Sequence, residues 1–305
     1  MKNTPYLSII IVNFNTYKLI TNCLDSIINQ NCSKNIEIIV VDNASSDDSV
    51  KLIKESYPLV KIIENNDNLG FGKANNQGVA QARGTWIMLL NSDTIIPKGT
   101  INDLITKLKD QKNEIIGIKL LNQNNTIQPS AGYFPSLSKI IMQMLFIDDL
   151  PLIKRIIKPY QQNTSSFYND NHEVDWVTGA CILMLKINYD FVGGFDEKIF
   201  MYGEEVDLCY RLKQNGCGVK YWAEPFIYHL KGASSVDGFK AAIIGEFQGL
   251  ITFYQKHYSQ NLKILKIILG LGALLRVIVF GMISPNKVTV YKQALKIIYS
   301  KKYEN

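Results

Sequence analysis

The stretch "WIMLLNSDTIIP", residues 86–97, holds an apolar run that stops at Asn91-Ser92-Asp93 and resumes at Thr94-Ile95-Ile96. A carboxylate where a buried strand surfaces serves either a solvated turn or a metal site at the strand's carboxyl end. Asp42 stands in the same position after another apolar run, in "VVDNASSDDS", residues 40–49. The Asn and Ser residues around it build turns and helix caps, while Asp42 itself could accept a hydrogen bond from a base or ribose. "NDNLGFGKANNQG", residues 66–78, sets Gly70 and Gly72 beside Lys73, Asn75 and Asn76. A helix start of that kind either turns the chain or holds a phosphate on its backbone N–H groups. "FMYGEEVDLCYRLKQNG", residues 200–216, crowds Glu204, Glu205 and Asp207 into one turn. The helix dipole favours acids there; alternatively, one carboxylate faces a cleft as a general base, with Phe200 and Tyr202 as an aromatic rim. His229, one of three histidines, lies in "FIYHLKGASS", residues 226–235.

These residues need a scaffold, and the hydrophobic pattern supplies one. Strands are predicted at residues 7–12, 36–41, 60–63, 86–90 and 115–120, with helices at 17–29, 47–56, 72–81 and 99–110 between them. Strands that are apolar throughout and separated by helices imply a parallel sheet covered on both faces. Such sheets bind ligands at the carboxyl ends of their strands, where Asn13-Phe14-Asn15, Asp42-Asn43 and Asn91-Ser92-Asp93 gather. A dinucleotide site would need G-x-G-x-x-G after the first strand, and that position reads Asn13-Phe14-Asn15-Thr16. Residues 122–175 are rich in Asn, Gln and Ser around an apolar island at 140–157, and read as irregular with an amphipathic helix. Regular structure resumes over 176–228, and a helix is expected over 239–257.

The chain of 305 residues is 47% apolar and 20% charged, ordinary for a globular protein. Five scattered cysteines (Cys23, Cys32, Cys181, Cys209, Cys217) without a C-x-x-C pair indicate a reduced, cytosolic chain without disulfides or a zinc site. The first apolar run is too short for a signal sequence, so export is not expected. Of the net charge of +6, residues 259–305 carry +7 and the rest −1, which gives no ground for a nucleic-acid partner. Within that tail, residues 267–284 ("IILGLGALLRVIVFGMIS") are interrupted by Arg276. A spanning helix needs about 20 apolar residues, and a charge near its middle makes spanning costly. Lys263, Lys266 and the later lysines favour a helix lying on an anionic cytoplasmic leaflet; a buried core helix is the alternative.

In order, "SIIIVNFN", "IIVVDNASSDDS", "NLGFGKANNQG", "WIMLLNSDT", "VTGACILMLK", "VGGFDEKIFMYGEEVDLCYRL" and "YHLKGASS" resemble the family-2 glycosyltransferases, among them rhamnosyltransferase-like members that use nucleotide-diphosphate sugars. The match spans residues 7–235. The resemblance implies an α/β GT-A fold: a mostly parallel, Rossmann-like sheet with helices on both faces, plus a C-terminal helical segment. Residues 1–258 would be the transferase domain, with a donor half at 1–120 and an acceptor half at 121–258, and 259–305 a basic amphipathic helical tail. The implied reaction is an inverting, metal-dependent transfer. By position, Phe14 would stack on the donor's base, with Asn15 beside it, and Asp42 would hydrogen-bond that base. Gly70, Lys73, Asn75 and Asn91 would serve the donor's phosphates or sugar. Asp93 would coordinate Mg²⁺ or Mn²⁺ with His229 as second ligand, and Trp176, Gly179 and Tyr202 would lie toward the acceptor.

Glu205 stands where the family's Glu-Asp pair has its catalytic Asp, with Glu204 just before it. Glutamate is one methylene longer, so the base is either Glu205 or Glu204. Asn91 and Ser92 are neutral, so the implied metal site is split between Asp93, His229 and the donor's own phosphates. The expected partners are a nucleotide-diphosphate sugar, with L-rhamnose from dTDP-rhamnose as leading sugar, and an oligosaccharide or lipid-linked acceptor in cell-surface polysaccharide synthesis. The expected location is cytoplasmic, peripheral to the inner face of the cell membrane. Two alternatives stand beside this. A sugar nucleotidyltransferase would carry an N-terminal glycine- and arginine-rich phosphate loop, absent here, and an inactive nucleotide-sugar-binding protein is kept open by Glu205 in place of Asp.

Overall fold

The computed structural model describes residues 4–30, 35–150, 152–153, 156–230, 238–281 and 284–300. Cys32, residues 231–235 of the last motif, and Lys301, Lys302 and Glu304 lie outside those residues.

The predicted apolar runs are strands: β1 (Leu7–Asn13), β2 (Ile36–Asp42), β3 (Lys61–Glu64) and β4 (Trp86–Asn91). They alternate with α1 (Tyr17–Ile28), α2 (Ser49–Ser56) and α3 (Phe71–Ala80), and a short β5 (Thr94–Ile95) precedes α4 (Thr100–Leu108). Side chains alternate across a strand, and here both sides are buried. Leu7, Ile9 and Ile11 join Ile20 and Leu24 of α1 and Leu104 of α4 in one apolar cluster, while Ile10 joins Val79 of α3 in the other. Gly78 lets α3 settle on the sheet, since a β-carbon there would stand 2.4 Å from the Ile10 side chain.

The remaining strands are β6 (Glu114–Leu121), β7 (Ile127–Gln128), β8 (Ala131–Gly132), β9 (His172–Glu173), β10 (Trp176–Val177), β11 (Cys181–Leu185) and β12 (Gly218–His229). The main sheet has the order β3-β2-β1-β4-β11-β6-β12-β5, with β7 on β6 and β9 on β12, while β8 and β10 form a separate pair. The first four strands are parallel, and β11 runs against both β4 and β6. This insertion, invisible in the alternating pattern, separates β4 from β6. Asn13 lies opposite Asp42, and Val12 opposite Asn91, so three strands end level at one edge.

The segment 122–175 contains the expected helix as α5 (Leu137–Met144), and α6 (Lys186–Phe191) and α7 (Glu204–Gln214) follow. The C-terminal layer is α8 (Gly238–His257), α9 (Leu262–Gly281) and α10 (Pro285–Ile298). Leu265, Leu269 and Ala273 of α9 share an apolar cluster with Phe247 and Tyr254 of α8 and with Ala294 and Ile298 of α10. The tail thus packs into the core of the preceding residues along one face. Arg276, read from the sequence as a charge on a membrane-facing helix, is buried instead. Its Nη1 donates to the Met144 carbonyl at 2.7 Å and its Nη2 to the Gln143 carbonyl at 2.8 Å. A guanidinium there donates to carbonyls of the last turn of α5 and opposes its dipole. The outer side of α9 is apolar too: Ile264, Ile267, Leu271, Leu274 and Ile278 are exposed, and spacings of three and four place them on one outer stripe.

Candidate active site

A cleft of about 610 Å³ opens at the carboxyl ends of β1 and β4. Its walls are the β1 end (Val12, Phe14, Asn15, Thr16), the β4 end (Asn91, Ser92, Asp93) and the start of α3 (Gly70, Phe71). Thr178 to Ala180 before β11, and Met201, Tyr202, Glu204 and Glu205 around the start of α7, close it.

At the β1–β2 edge a buried polar network shapes one wall. Asn13 Nδ2 donates to Asp42 Oδ2 at 2.7 Å, and Ser45 donates to Asp42 from its backbone N–H at 2.8 Å and its hydroxyl at 2.7 Å. Asp42 is therefore engaged by three donors and stands behind the wall; its neighbour Asn43 lines the cleft. Asn15 adopts a left-handed φ of 53°, which asparagine tolerates better than most residues. Its Oδ1 accepts from the Ser46 N–H at 2.7 Å, tying the two strand-end loops together. Phe14, beside it, is 40% exposed.

Across the cleft, the turn between β4 and β5 carries Asp93. Thr94 pairs with His229, and the Leu230 N–H donates to the Asp93 carbonyl at 2.8 Å. That register brings His229 Nε2 to 3.1 Å from Asp93 Oδ1, with Asp93 2% exposed. Asn91 Nδ2 contacts the same ring nitrogen at 3.3 Å. Among the described residues no group of three or more His, Cys, Asp or Glu could hold a metal, so Asp93 and His229 stand as a pair.

The carboxylates of α7 sort into two environments. Gly203 caps the helix with a φ of 92°, Tyr202 precedes it at 70°, and the Gly203 N–H donates to Glu205 Oε2 at 3.1 Å. This turn rests in a notch of α8, where a β-carbon at Gly245 would lie 2.0 Å from the Tyr202 ring and one at Gly249 2.7 Å from its carbonyl oxygen. Glu204 is 5% exposed, and its Oε2 has no hydrogen-bond partner among the described residues. Burial pushes Glu204 well above the usual carboxyl range, and the charge of Glu205 pushes it further. Burial also raises Glu205, against the backbone N–H groups at the helix start. Both carboxyls of this neighbouring pair are thus pushed toward their protonated forms. Asp207 is a different case. Burial alone would raise it, but the hydrogen bond from His257, the charge of Arg211 and the hydrogen bond from Lys256 hold it down to about 2.

Residues 8–168, more than half of the chain, match the sequence profile of glycosyl transferase family 2. The chain belongs to that family. It is 27% identical over 217 residues to an N-acetylglucosaminyl-diphospho-decaprenol L-rhamnosyltransferase from Mycobacterium tuberculosis, covering 66% of this chain and 68% of the relative. Among solved structures it is similar to mannosyltransferase PcManGT from Pyrobaculum calidifontis in complex with GDP-Man and Mn²⁺, with a TM-score of 0.59 at 16% identity, covering 99% of this chain and 82% of the other. It is also similar to GalNAc-T7 with UDP, GalNAc and Mn²⁺, with a TM-score of 0.55 at 16% identity over 73% of this chain and 42% of that one. These likenesses establish the GT-A fold.

Several of the residues that the family-2 resemblance singles out stand outside the cleft of this glycosyltransferase. Lys73 lies 3.7 Å from Glu197 Oε2 on the protein surface. Asn75 is buried and donates from Nδ2 to the Phe71 carbonyl at 2.9 Å. The Trp176 indole is buried and donates to the Tyr160 carbonyl at 3.0 Å. Gly179 and Tyr202 line the cleft, as do Thr16, Asn43, Asn68, Ser92 and Thr178, which sequence reasoning did not single out. Asn43 and Ser92 adjoin chosen acids and were legible as polar strand ends. Thr16, Asn68 and Thr178 carry no such signal.

Proposed function

We propose that this glycosyltransferase moves a sugar, with inversion, from a nucleotide-diphosphate donor to a saccharide or lipid-linked acceptor in cell-surface polysaccharide synthesis. The observation that carries this is one cleft with Asp93 on one wall, His229 standing 3.1 Å from its carboxylate, and Glu204 and Glu205 on the other wall. L-rhamnose from a dTDP donor is the leading sugar, supported by the name of the mycobacterial relative.

In this reading Phe14 stacks on the base, with Asn15 beside it, and Asp42 anchors Asn13 and the loop of Ser45 behind them. Gly70 and Asn91 flank the donor's sugar and phosphates, while Gly179 and Tyr202 border the acceptor. Glu205 removes the proton of the acceptor hydroxyl as that oxygen attacks the anomeric carbon opposite the leaving group. Glu204, protonated, supports it without competing for the proton. Lys73, Asn75 and Trp176 act as structural neighbours of the site.

The donor set fits a divalent cation: one carboxylate and one imidazole converge at 3.1 Å, leaving further positions for the donor's diphosphate. Asp93 and His229 would hold Mg²⁺ or Mn²⁺. When bound, the ion supplies charge neutralisation for the departing nucleoside diphosphate. Mn²⁺ accompanies both related structures. The exposed apolar stripe of α9, with the exposed Lys263 at its start and Lys292 and Lys296 on α10, supports peripheral attachment to the inner face of the cell membrane. Incubation with a panel of nucleotide sugars and Mn²⁺ tests the central reading: release of sugar or transfer product with a nucleoside diphosphate supports it. Pyrophosphate exchange, the signature of a nucleotidyltransferase, or complete inertness toward every donor counts against it.

A further inference from the structure

The Asn-rich turn between β6 and β7 lies outside the cleft, yet Gln128, at the end of β7, meets His229. We propose that Gln128 holds a proton on His229 Nδ1, so that the neutral ring keeps its lone pair on Nε2, the nitrogen beside Asp93. The use of that lone pair rests on the metal reading given above; the assignment of the proton does not.

The argument starts at a group that cannot turn over. The backbone N–H of Thr126 donates to the Asn124 side chain at 3.2 Å, so the receiving atom is the amide oxygen. The Thr126 hydroxyl donates to that same oxygen at 2.6 Å. With its hydrogen committed, the hydroxyl can only accept from Asn122, and Nδ2 lies 2.9 Å away. Asn122 must then present Oδ1 to Gln128, whose Nε2 donates to it at 2.9 Å. The same Nε2 lies 3.5 Å from the His229 carbonyl, which accepts only from a nitrogen. Gln128 is left with its oxygen facing His229 Nδ1 at 2.5 Å, and Nδ1 must carry the hydrogen. The polarity of the whole relay follows from one backbone amide.

Geometry holds the relay in place. The Asn122 N–H donates to the Thr126 carbonyl at 2.8 Å, and Asn125 closes the turn with a φ of 61°. Gln128 pairs with Leu120 in the β6–β7 ladder and is 4% exposed. In the neutral ring Nε2 is thus the acceptor: Asn91 Nδ2 faces it at 3.3 Å, while Asp93 Oδ1, at 3.1 Å, can share that nitrogen only through a proton or a cation. Imidazole binds a metal only through an unprotonated nitrogen, and a hydrogen bond at the other nitrogen selects which one that is. Gln128 is a positioning residue on these grounds. A glutamate of the same shape would have no hydrogen to offer Asn122.

The test uses the full chain without metal at pH 8, with long-range ¹⁵N–¹H NMR of the histidine rings assigned through His229→Gln. The wild type is expected to show the Nδ1–H form. Gln128→Leu is expected to move the ring toward Nε2–H. Thr126→Val, which frees Asn122 to turn over, should give a mixture and carries the same readout if Gln128→Leu does not fold. Mn²⁺ titration followed by EPR with saturating dTDP should show an affinity loss of about 10- to 100-fold in Gln128→Leu. An Nε2–H ring in the wild type, or an unchanged ring and unchanged Mn²⁺ affinity in Gln128→Leu, overturns the proposal. An Nδ1–H ring in a wild type that takes up no Mn²⁺ upholds the proton assignment and overturns the metal reading instead.

Discussion

The cleft and the helical layer beside it treat buried charge in opposite ways. In the layer, Asp207 meets Arg211 at 2.8 Å, Lys256 at 2.9 Å and His257 at 2.7 Å. Arg276 ends on two carbonyls of α5, at 2.7 and 2.8 Å. In the cleft, Glu204 leaves an oxygen without a partner among the described residues, and Glu205 accepts from the backbone N–H of Gly203. Glu205 and Asp207 share one helical turn, so helix dipole and sequence context barely distinguish them. The difference lies in counter-charge. A paired buried carboxylate regains the hydration it lost and stays ionised, whereas an unpaired one is pushed toward its protonated form and is basic near neutral pH. Acids in the first category hold helices together; those in the second are available for chemistry.

The sharpest way to break this comparison is Glu205→Gln. Transfer is expected to fall by roughly 10³-fold, while donor binding measured by calorimetry with Mn²⁺ persists. In the wild type the raised Glu205 implies that transfer is lost on acidification with a midpoint above the ordinary glutamate value of about 4.3. Turnover like wild type in Glu205→Gln would remove the base role. On the opposite wall, Asp93→Ala should weaken Mn²⁺-dependent donor binding by on the order of 100-fold, several kcal/mol of charge stabilisation. Nucleotide affinity unchanged by the substitution would count against the metal pair.

Beside the layer, Asp207→Asn should instead cost stability, roughly 3 kcal/mol, because Arg211, Lys256 and His257 lose the carboxylate they share. Chemical denaturation measures it, with donor binding in the folded fraction intact. The folded pKa of Asp207 is depressed, so its contribution is complete above the ordinary carboxyl value of about 3.9 and disappears as pH falls through about 2. A variant as stable as wild type at pH 7 would place Asp207 with the glutamates. The smallest effect is expected on the outer side of the layer. Leu271 is 63% exposed, and Leu271→Glu with Leu274→Glu should reduce co-sedimentation with anionic vesicles by about tenfold, leaving transfer to a soluble acceptor unchanged. Equal vesicle binding by the variant would show that the stripe does not meet lipid.

Much of the scaffold was legible in the chain. Continuous apolar runs separated by helical spacing predicted β1 to β4 and their helices, because burial on both faces leaves no room for polar alternation. The polar strand ends Asn13, Asp42, Asn91 and Asp93 were legible for the same reason, since a core strand becomes polar only where it reaches solvent. The Asn-rich turn before β7 was not, because Asn122, Asn124 and Gln128 act through the direction of their hydrogen bonds, which composition does not carry. Nor was Arg276, whose partners are backbone carbonyls of α5 and leave no mark in side-chain pattern.

The sequence by itself determined the period of each element, the edge at which polar residues collect and the family to which their order belongs. These are local properties, set by side-chain spacing along a few residues. Only the tertiary structure decided that Asp93 meets His229, that Glu205 has no counter-charge among the described residues while Asp207 meets Arg211, Lys256 and His257, and that Arg276 of α9 turns inward. Each of those depends on which distant surface packs against the residue, and a buried charge takes its character from that surface.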